Sequence, residues 1–199
     1  MLMSATPVTM FEPEIGWTPA ERGRLGMYCL IAAEAAIFTI FVVAYLFYVG
    51  KSLTGPTQTV LHVPIFFTIC LLSSSATIHL AVRSLKNGKL RIFARWWFLT
   101  VALGAAFLFG TALEWRHLIY DEGLTIQTNL FGTTYYSLVG LHAFHVVMGL
   151  LGLSTVLVLT QFGNVTAEHA DRVDVLALYW HFVDAVWIVV FLVVYVIGR

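Results

Sequence analysis

The residues most able to do chemistry lie near the C-terminus, where His181 and Asp184 interrupt a long apolar segment, residues 175–197. At about 1.5 Å per residue, a helix of this length crosses the roughly 30 Å hydrocarbon layer of a bilayer. Residues three apart share a helix face, so the imidazole and the carboxylate must point together toward other helices or water. Such a pair either fastens helices by hydrogen bonds or belongs to a proton or metal site.

The composition of the chain is typical of an integral membrane protein. Apolar residues make up 59% of the 199 residues and charged residues only 11%, proportions far from those of soluble domains. The net charge is zero and no long basic tract is present, which argues against nucleic-acid binding. We expect no cleaved signal peptide, because residues 1–20 carry Glu12 and Glu14 and no apolar core.

Five apolar segments, each about 20 to 27 residues long, predict an all-α fold with five transmembrane helices in one membrane domain, residues 1–199. The predicted helices are residues 25–49, 60–82, 96–115, 133–159 and 175–197. Thr18-Pro19-Ala20-Glu21 resembles a capping box with proline at the first helical position. The first helix should therefore begin at Pro19, ahead of its apolar part.

The distribution of basic residues predicts the orientation of the helices. The second link contains Arg83, Lys86, Lys89, Arg91 and Arg95, whereas the links on either side contain only Lys51 and Arg116. Basic links lie preferentially in the cytoplasm. The N-terminus is therefore predicted to be cytoplasmic and the C-terminus external.

The predicted topology also gives the depth of each intramembrane polar residue. Glu34 and Asp184 lie nine residues beyond the inner ends of their apolar segments, which puts both about 13 Å from the cytoplasmic side. The fourth segment runs from the outside inward, and His145 lies about twelve residues from its outer start, at a similar depth. His142 lies one turn nearer the outside. Glu34, His145, His181 and Asp184 could thus form one layer near the middle of the bilayer.

The role of this layer is left open by the residue types alone. Four alanines flank Glu34 and would let another helix approach the carboxyl group closely. Packing and hydrogen bonding, proton handling, and metal binding are the alternatives. His142 and His145 have a spacing that could bind a metal, but no Cys or HExxH motif accompanies them, and we expect no metal site. Haem ligation by histidines on facing helices, with His79 as a further candidate, is open in principle.

Four motifs, taken together in order and spacing, resemble subunit III of the haem–copper oxidases over residues 25–198. They are Tyr179-Trp180-His181-Phe182-Val183-Asp184 with Val186-Trp187, Leu141-His142-Ala143-Phe144-His145-Val146, Gly26-Met27 followed by Glu34, and Glu114 followed by Phe131-Gly132-Thr133-Thr134. The resemblance implies a non-catalytic chain that packs on the catalytic subunit I and accompanies subunit II. It also implies that haem and copper belong to those partners, and that this chain has no redox cofactor, binds phospholipid and supports proton uptake.

The five predicted helices match the last five of the seven helices in mitochondrial members of that family. Five-helix members accompany bacterial cytochrome c oxidases and quinol oxidases, and related chains accompany nitric oxide reductase. We expect a cytochrome c oxidase in the bacterial plasma membrane, with the other two as alternatives and a stand-alone haem-binding or proton-conducting protein as a third. Glu114, Trp180, Trp187 and Arg172 are the expected contacts with lipid or neighbouring subunits, and Glu114 is expected to snorkel or cap at the outer interface.

Overall fold

The computed structural model describes residues 19–52 and 54–198, and it confirms the all-α prediction. The described residues form α1 (Pro19–Tyr48), α2 (Ile65–Lys86), α3 (Leu90–Tyr120), α4 (Leu130–Gln161) and α5 (Ala170–Phe191), which continues as a π-helical segment (Leu192–Ile197). Short 3-10 helices, Gln58–Val60 and Ala167–His169, precede α2 and α5. Within the described ranges, five helices are long and apolar enough to cross a membrane.

The helix ends differ from the predicted ones where local chemistry overrides hydropathy. α1 begins at Pro19 as predicted, while the capping residue Thr18 lies outside the described residues. α2 begins at Ile65 instead of residue 60, because the residue before Pro64 is kept out of the helical region. α2 and α3 both extend beyond their predicted ends into the second link, so that only residues 87–89 separate them. The basic side chains of this link can reach water from the helix ends.

The helices pack side by side in a ring, with α5 in its most extensive contacts with three others. α5 packs against α1, α2 and α4, while α1 also packs against α4, and α3 lies between α2 and α4. α2 and α3 form an antiparallel hairpin whose turn includes Gly88 at φ 70°, a conformation that favours glycine. This arrangement sets which polar residues can meet.

Ion pairs hold together one end of the bundle, formed by the starts of α1, α3 and α5 and by the ends of α2 and α4. We call it the basic end. Asp174 of α5 accepts from Arg24 of α1 at 2.8 Å and from Lys86 of α2 at 3.2 Å. At the opposite end, Asn129 caps α4 by accepting from the Gly132 amide at 2.8 Å.

Candidate functional site

Glu34 of α1 and His145 of α4 form the first polar site inside the bundle. Glu34 Oε2 lies 3.0 Å from His145 Nε2, and His145 Nδ1 lies 2.7 Å from the Leu141 carbonyl oxygen. Because a carbonyl oxygen can only accept, Nδ1 carries a hydrogen. The Glu34–His145 contact therefore holds one proton, either on the imidazole as an ion pair or on the carboxyl group as a neutral pair.

Glu34 and His145, which we call the Glu34 pair, lie among apolar groups and are mostly buried. The side chain of His145 is 7% exposed and that of Glu34 is 22% exposed. The Phe38 ring packs 5.0 Å from the imidazole, and the Tyr179 hydroxyl donates to the His145 carbonyl oxygen at 3.3 Å. The pair is therefore closed on the His145 side and partly open on the Glu34 side.

Ser75, His181 and Asp184 form the second site, between α2 and α5, which we call the Ser75 cluster. The Ser75 hydroxyl donates to Asp184 Oδ2 at 2.5 Å and lies 3.0 Å from His181 Nδ1. With its one hydrogen donated, the hydroxyl oxygen must accept from Nδ1. Sequence reasoning missed Ser75, although the run Ser73-Ser74-Ser75 inside an apolar segment was a signal that could have revealed it.

The four residues predicted to share one layer do not form one cluster, because the structure separates them into two sites. No hydrogen bond in the described residues joins Glu34 or His145 to His181 or Asp184. The four residues lie at comparable depths, but the polar face of α5 points to α2 whereas α1 and α4 meet on another side of α5. Helix rotation, which depth cannot reveal, decides the pairing.

His142 is enclosed by aromatic rings and does not join either site. Its side chain is fully buried, with the rings of Trp187, Phe107 and Phe38 at centroid distances of 4.9, 5.7 and 6.5 Å. Neither ring nitrogen bonds to any described residue. The residue therefore contributes packing to the α3–α4–α5 contact.

The prediction that Trp180 and Trp187 contact lipid or other subunits is wrong, since both side chains are buried within this chain. Trp180 donates from Nε1 to the Ser74 hydroxyl at 2.7 Å, and Trp187 donates to the Thr68 hydroxyl at 3.2 Å. Indole rings favour this placement, because they combine a large apolar area with one N–H group that needs a partner. The two tryptophans fasten α5 to α2.

Glu114 also differs from its prediction as a snorkelling or capping residue. Its carboxylate points into the bundle and accepts from the hydroxyls of Tyr195 at 2.9 Å and Tyr135 at 3.4 Å. These tyrosines come from α4 and the π-helical segment, so the carboxylate links three helices. Arg172 is exposed at the start of α5, and its predicted contact with lipid or a partner stays a prediction.

No group of three His, Cys, Asp or Glu side chains suited to a metal ion occurs in the part of the chain that the structure describes. What the geometry shows at the Glu34 pair and the Ser75 cluster is hydrogen bonding between helices.

Comparison with known proteins identifies the family of this chain. The family model described as cytochrome c oxidase subunit III matches residues 18–199. The chain belongs to the cytochrome c oxidase subunit III family. A cytochrome c oxidase subunit 3 from Alkalihalophilus pseudofirmus is 33% identical over 190 residues, covering 94% of this chain and 92% of that protein.

Further relatives include subunits of a cytochrome c oxidase and of a quinol oxidase. A cytochrome c oxidase subunit 3 from Corynebacterium diphtheriae is 40% identical over 139 residues, 69% of this chain and 67% of that protein. A quinol oxidase subunit 3 from Bacillus subtilis is 29% identical over 185 residues, 90% of each chain. The chain is thus subunit III of a haem–copper oxidase, and membership implies association with other oxidase subunits.

Proposed function

We propose that this chain is an accessory subunit of a cytochrome c oxidase, packing on the catalytic subunit I beside subunit II and stabilising it during turnover. The family match over residues 18–199 carries this proposal. The internal arrangement supports an accessory role, because the polar groups are used mainly to fasten helices to each other. On this proposal, haem and copper reside in the partner subunits and the chain itself contributes no redox centre.

The environment of Glu34 supports phospholipid binding and a part in proton uptake. A groove of about 210 Å³ between α1 and α5 is lined by Ala35, Phe38, Thr39, Val42, Val186, Val189 and Val190. Its apolar walls suit an acyl chain, and one of them is Phe38, which lies one turn along α1 from the partly exposed Glu34. We infer that a lipid tail occupies this groove and that the single proton of the Glu34 pair exchanges at its open side.

The charge distribution supports a cytoplasmic location for the basic end. Eight of the described basic residues lie there, namely Arg22, Arg24, Arg83, Lys86, Lys89, Arg91, Arg95 and Arg172, against Lys51 and Arg116 at the opposite end. Because positively charged ends are retained inside, the N-terminus is cytoplasmic and the C-terminus external, in the plasma membrane of a bacterium.

The proposal is tested by purifying the complex through an affinity tag on this chain. We expect subunits I and II to co-purify with haem and copper, and the isolated chain to show no Soret band. Removing the chain should leave initial oxygen uptake largely intact but shorten the period over which it persists. A Soret band on the isolated chain, or purification without haem-containing subunits, would contradict the proposal.

A quinol oxidase is the second candidate, favoured by the match to the Bacillus subtilis quinol oxidase subunit 3 over 90% of each chain. The two differ in the electron donor, which acts on other subunits. Oxygen uptake by the purified complex with reduced cytochrome c or with a quinol as donor separates them. We expect cytochrome c to support turnover, and activity with quinol alone would favour the second candidate.

A further inference from the structure

Polar side chains lie on a membrane-facing surface along the contact between α2 and α5. We call this surface the α2–α5 seam; it consists of Leu72, Ala76 and His79 from α2, and His181, Ala185 and Ile188 from α5. His181 is half-buried and the other five are exposed. None of them takes part in the Glu34 pair or in the proposed lipid groove.

The two histidines of the seam lie at the same depth within the hydrocarbon. His79 is seven residues from Lys86, and His181 is seven residues from Asp174. Lys86 and Asp174 contact each other at the basic end, so both imidazoles lie about 10 Å into the membrane from that contact. Ser75 and His79 are one turn apart on α2, which puts His79 on the side that faces α5.

Both imidazoles have hydrogen-bonding capacity that the described residues do not use. Ser75 donates its hydrogen to Asp184 and accepts from His181 Nδ1. A neutral His181 therefore carries a lone pair on Nε2, which bonds to no described residue. His79 makes no hydrogen bond to the described part of the chain. Ionisable groups within a membrane nearly always face a protein partner or water, because acyl chains offer no hydrogen bonds.

The shape of the seam suits a helix from another protein. Ala76 and Ala185 are small and exposed, and small residues let two helix backbones approach closely in membranes. The outer face of α3 differs, since its exposed residues Phe98, Ala102, Ala105, Phe109 and Leu113 include no polar side chain. A surface such as that of α3 suits lipid, whereas the seam requires hydrogen-bonding groups.

We propose that the α2–α5 seam is the docking surface for a transmembrane helix of another oxidase subunit. That helix presents a hydrogen-bond donor to His181 Nε2, namely a hydroxyl, a carboxamide or an indole N–H. The proposal rests on the proposed function, because it requires a multi-subunit membrane complex. It adds the surface, the depth and the chemistry of the contact.

Photocrosslinking in the purified complex tests the proposal directly. A benzophenone residue is placed at Ile188 in the seam, with a matched one at Phe109 on the outer face of α3. After irradiation, mass spectrometry should find Ile188 joined to a transmembrane peptide of another oxidase subunit and Phe109 joined only to lipid. Lipid alone at Ile188, or a second copy of this chain there, overturns the proposal.

A pair of tryptophan substitutions provides a second test. Ala185→Trp places a bulky ring on the seam, and Ala105→Trp places the same ring on the outer face of α3. We expect the amount of the subunit crosslinked at Ile188 that co-purifies per tagged chain to fall at least fivefold for Ala185→Trp and to stay within twofold of the parent for Ala105→Trp. Monodisperse elution of both variant chains controls for folding.

The outcomes separate the two proposals. Equal retention of that subunit by both tryptophan variants overturns the docking surface and leaves the accessory function standing. Purification of the unmodified tagged chain without any haem-containing subunit overturns both.

Discussion

At the scale of single residues, hydrogen-bond direction defines what each intramembrane polar group can do. The Leu141 carbonyl oxygen fixes a hydrogen on His145 Nδ1, so the contact with Glu34 shares one proton. Ser75 fixes a hydrogen on His181 Nδ1 in the same way. The Ser75 hydroxyl donates its hydrogen to Asp184, so its oxygen can only accept a hydrogen bond from Nδ1. In each site, an oxygen on a neighbouring residue sets the tautomer of a histidine.

Replacing Glu34 tests the contribution of its pair with His145. Glu34→Ala leaves a buried imidazole nitrogen without a partner, a loss that typically costs about 1–3 kcal/mol and somewhat less in membrane helices. Glu34→Gln keeps the shape and a hydrogen bond, and should be milder. Detergent-resistant association with the complex and persistence of oxygen uptake are measured for both, with the exposed Glu168→Gln as the control. Parent-like behaviour of Glu34→Ala would show that the pair is dispensable.

Substitution of His142 by phenylalanine should not lower stability, whereas the same substitution of His145 should. His142→Phe removes two buried nitrogens that bond to no described residue, and replacing unsatisfied polar groups by apolar ones is neutral or stabilising. His145→Phe breaks the contact with Glu34 and should destabilise by about 1–3 kcal/mol. Thermal unfolding of the purified complex in detergent measures both. A lower unfolding midpoint for His142→Phe than for His145→Phe would contradict this assignment.

At the scale of helices, one tryptophan organises the packing of four elements. Trp180 on α5 bonds to Ser74 on α2 and its ring lies against Gly104 of α3 and Gly149 of α4. A Cβ atom at either glycine would lie 2.8 Å from that ring. The indole fits only because both facing helices have no side chain at that position.

Adding a methyl group at these glycines should therefore be costly. Gly104→Ala and Gly149→Ala each force a buried, hydrogen-bonded ring to move, and overpacking of this kind costs about 1–3 kcal/mol. Gly26→Ala is the matched control on α1, since its Cβ would meet nothing within 4 Å; it should be neutral or raise stability by up to about 1 kcal/mol through helix propensity. Unfolding midpoints of the three variants are compared. Equal midpoints would mean that the core around Trp180 tolerates repacking.

At the scale of the whole molecule, the bundle is asymmetric along the membrane normal. The basic end is linked by Asp174 to Arg24 and Lys86, whereas the opposite end carries the Glu114 carboxylate with its two tyrosines. The five helices place the first and last described residues at different ends. The asymmetry therefore predicts a single orientation in the membrane.

Reporter fusions measure that orientation. A reporter inserted after Asn87, in the turn between α2 and α3, should be active in the cytoplasm, and one fused at Arg199 should be active outside. Alkaline phosphatase and a fluorescent protein give opposite signals in the two compartments. An external reporter at Asn87 would reverse the proposed topology.

The sequence by itself was sufficient for the number of helices, the family resemblance and the ionisable residues that lie inside the apolar segments. Each of these depends on local composition: an apolar segment long enough to span the bilayer, and an ionisable group placed within it. The start of α1 at Pro19 was likewise predicted from neighbouring residues in the sequence. Pro64 also indicates where α2 begins, but a prediction from hydropathy alone does not use this signal.

Only the tertiary structure decided which polar residues meet and which aromatic residues are covered. Residue spacing gives depth along each helix, but it does not give the rotation of one helix against another or the order of helices around α5. That rotation directs His181 and Asp184 to Ser75 on α2 and leaves Glu34 to His145. It also buries Trp180 against Gly104 and Gly149, and it buries Trp187 against the rings of Phe107 and His142.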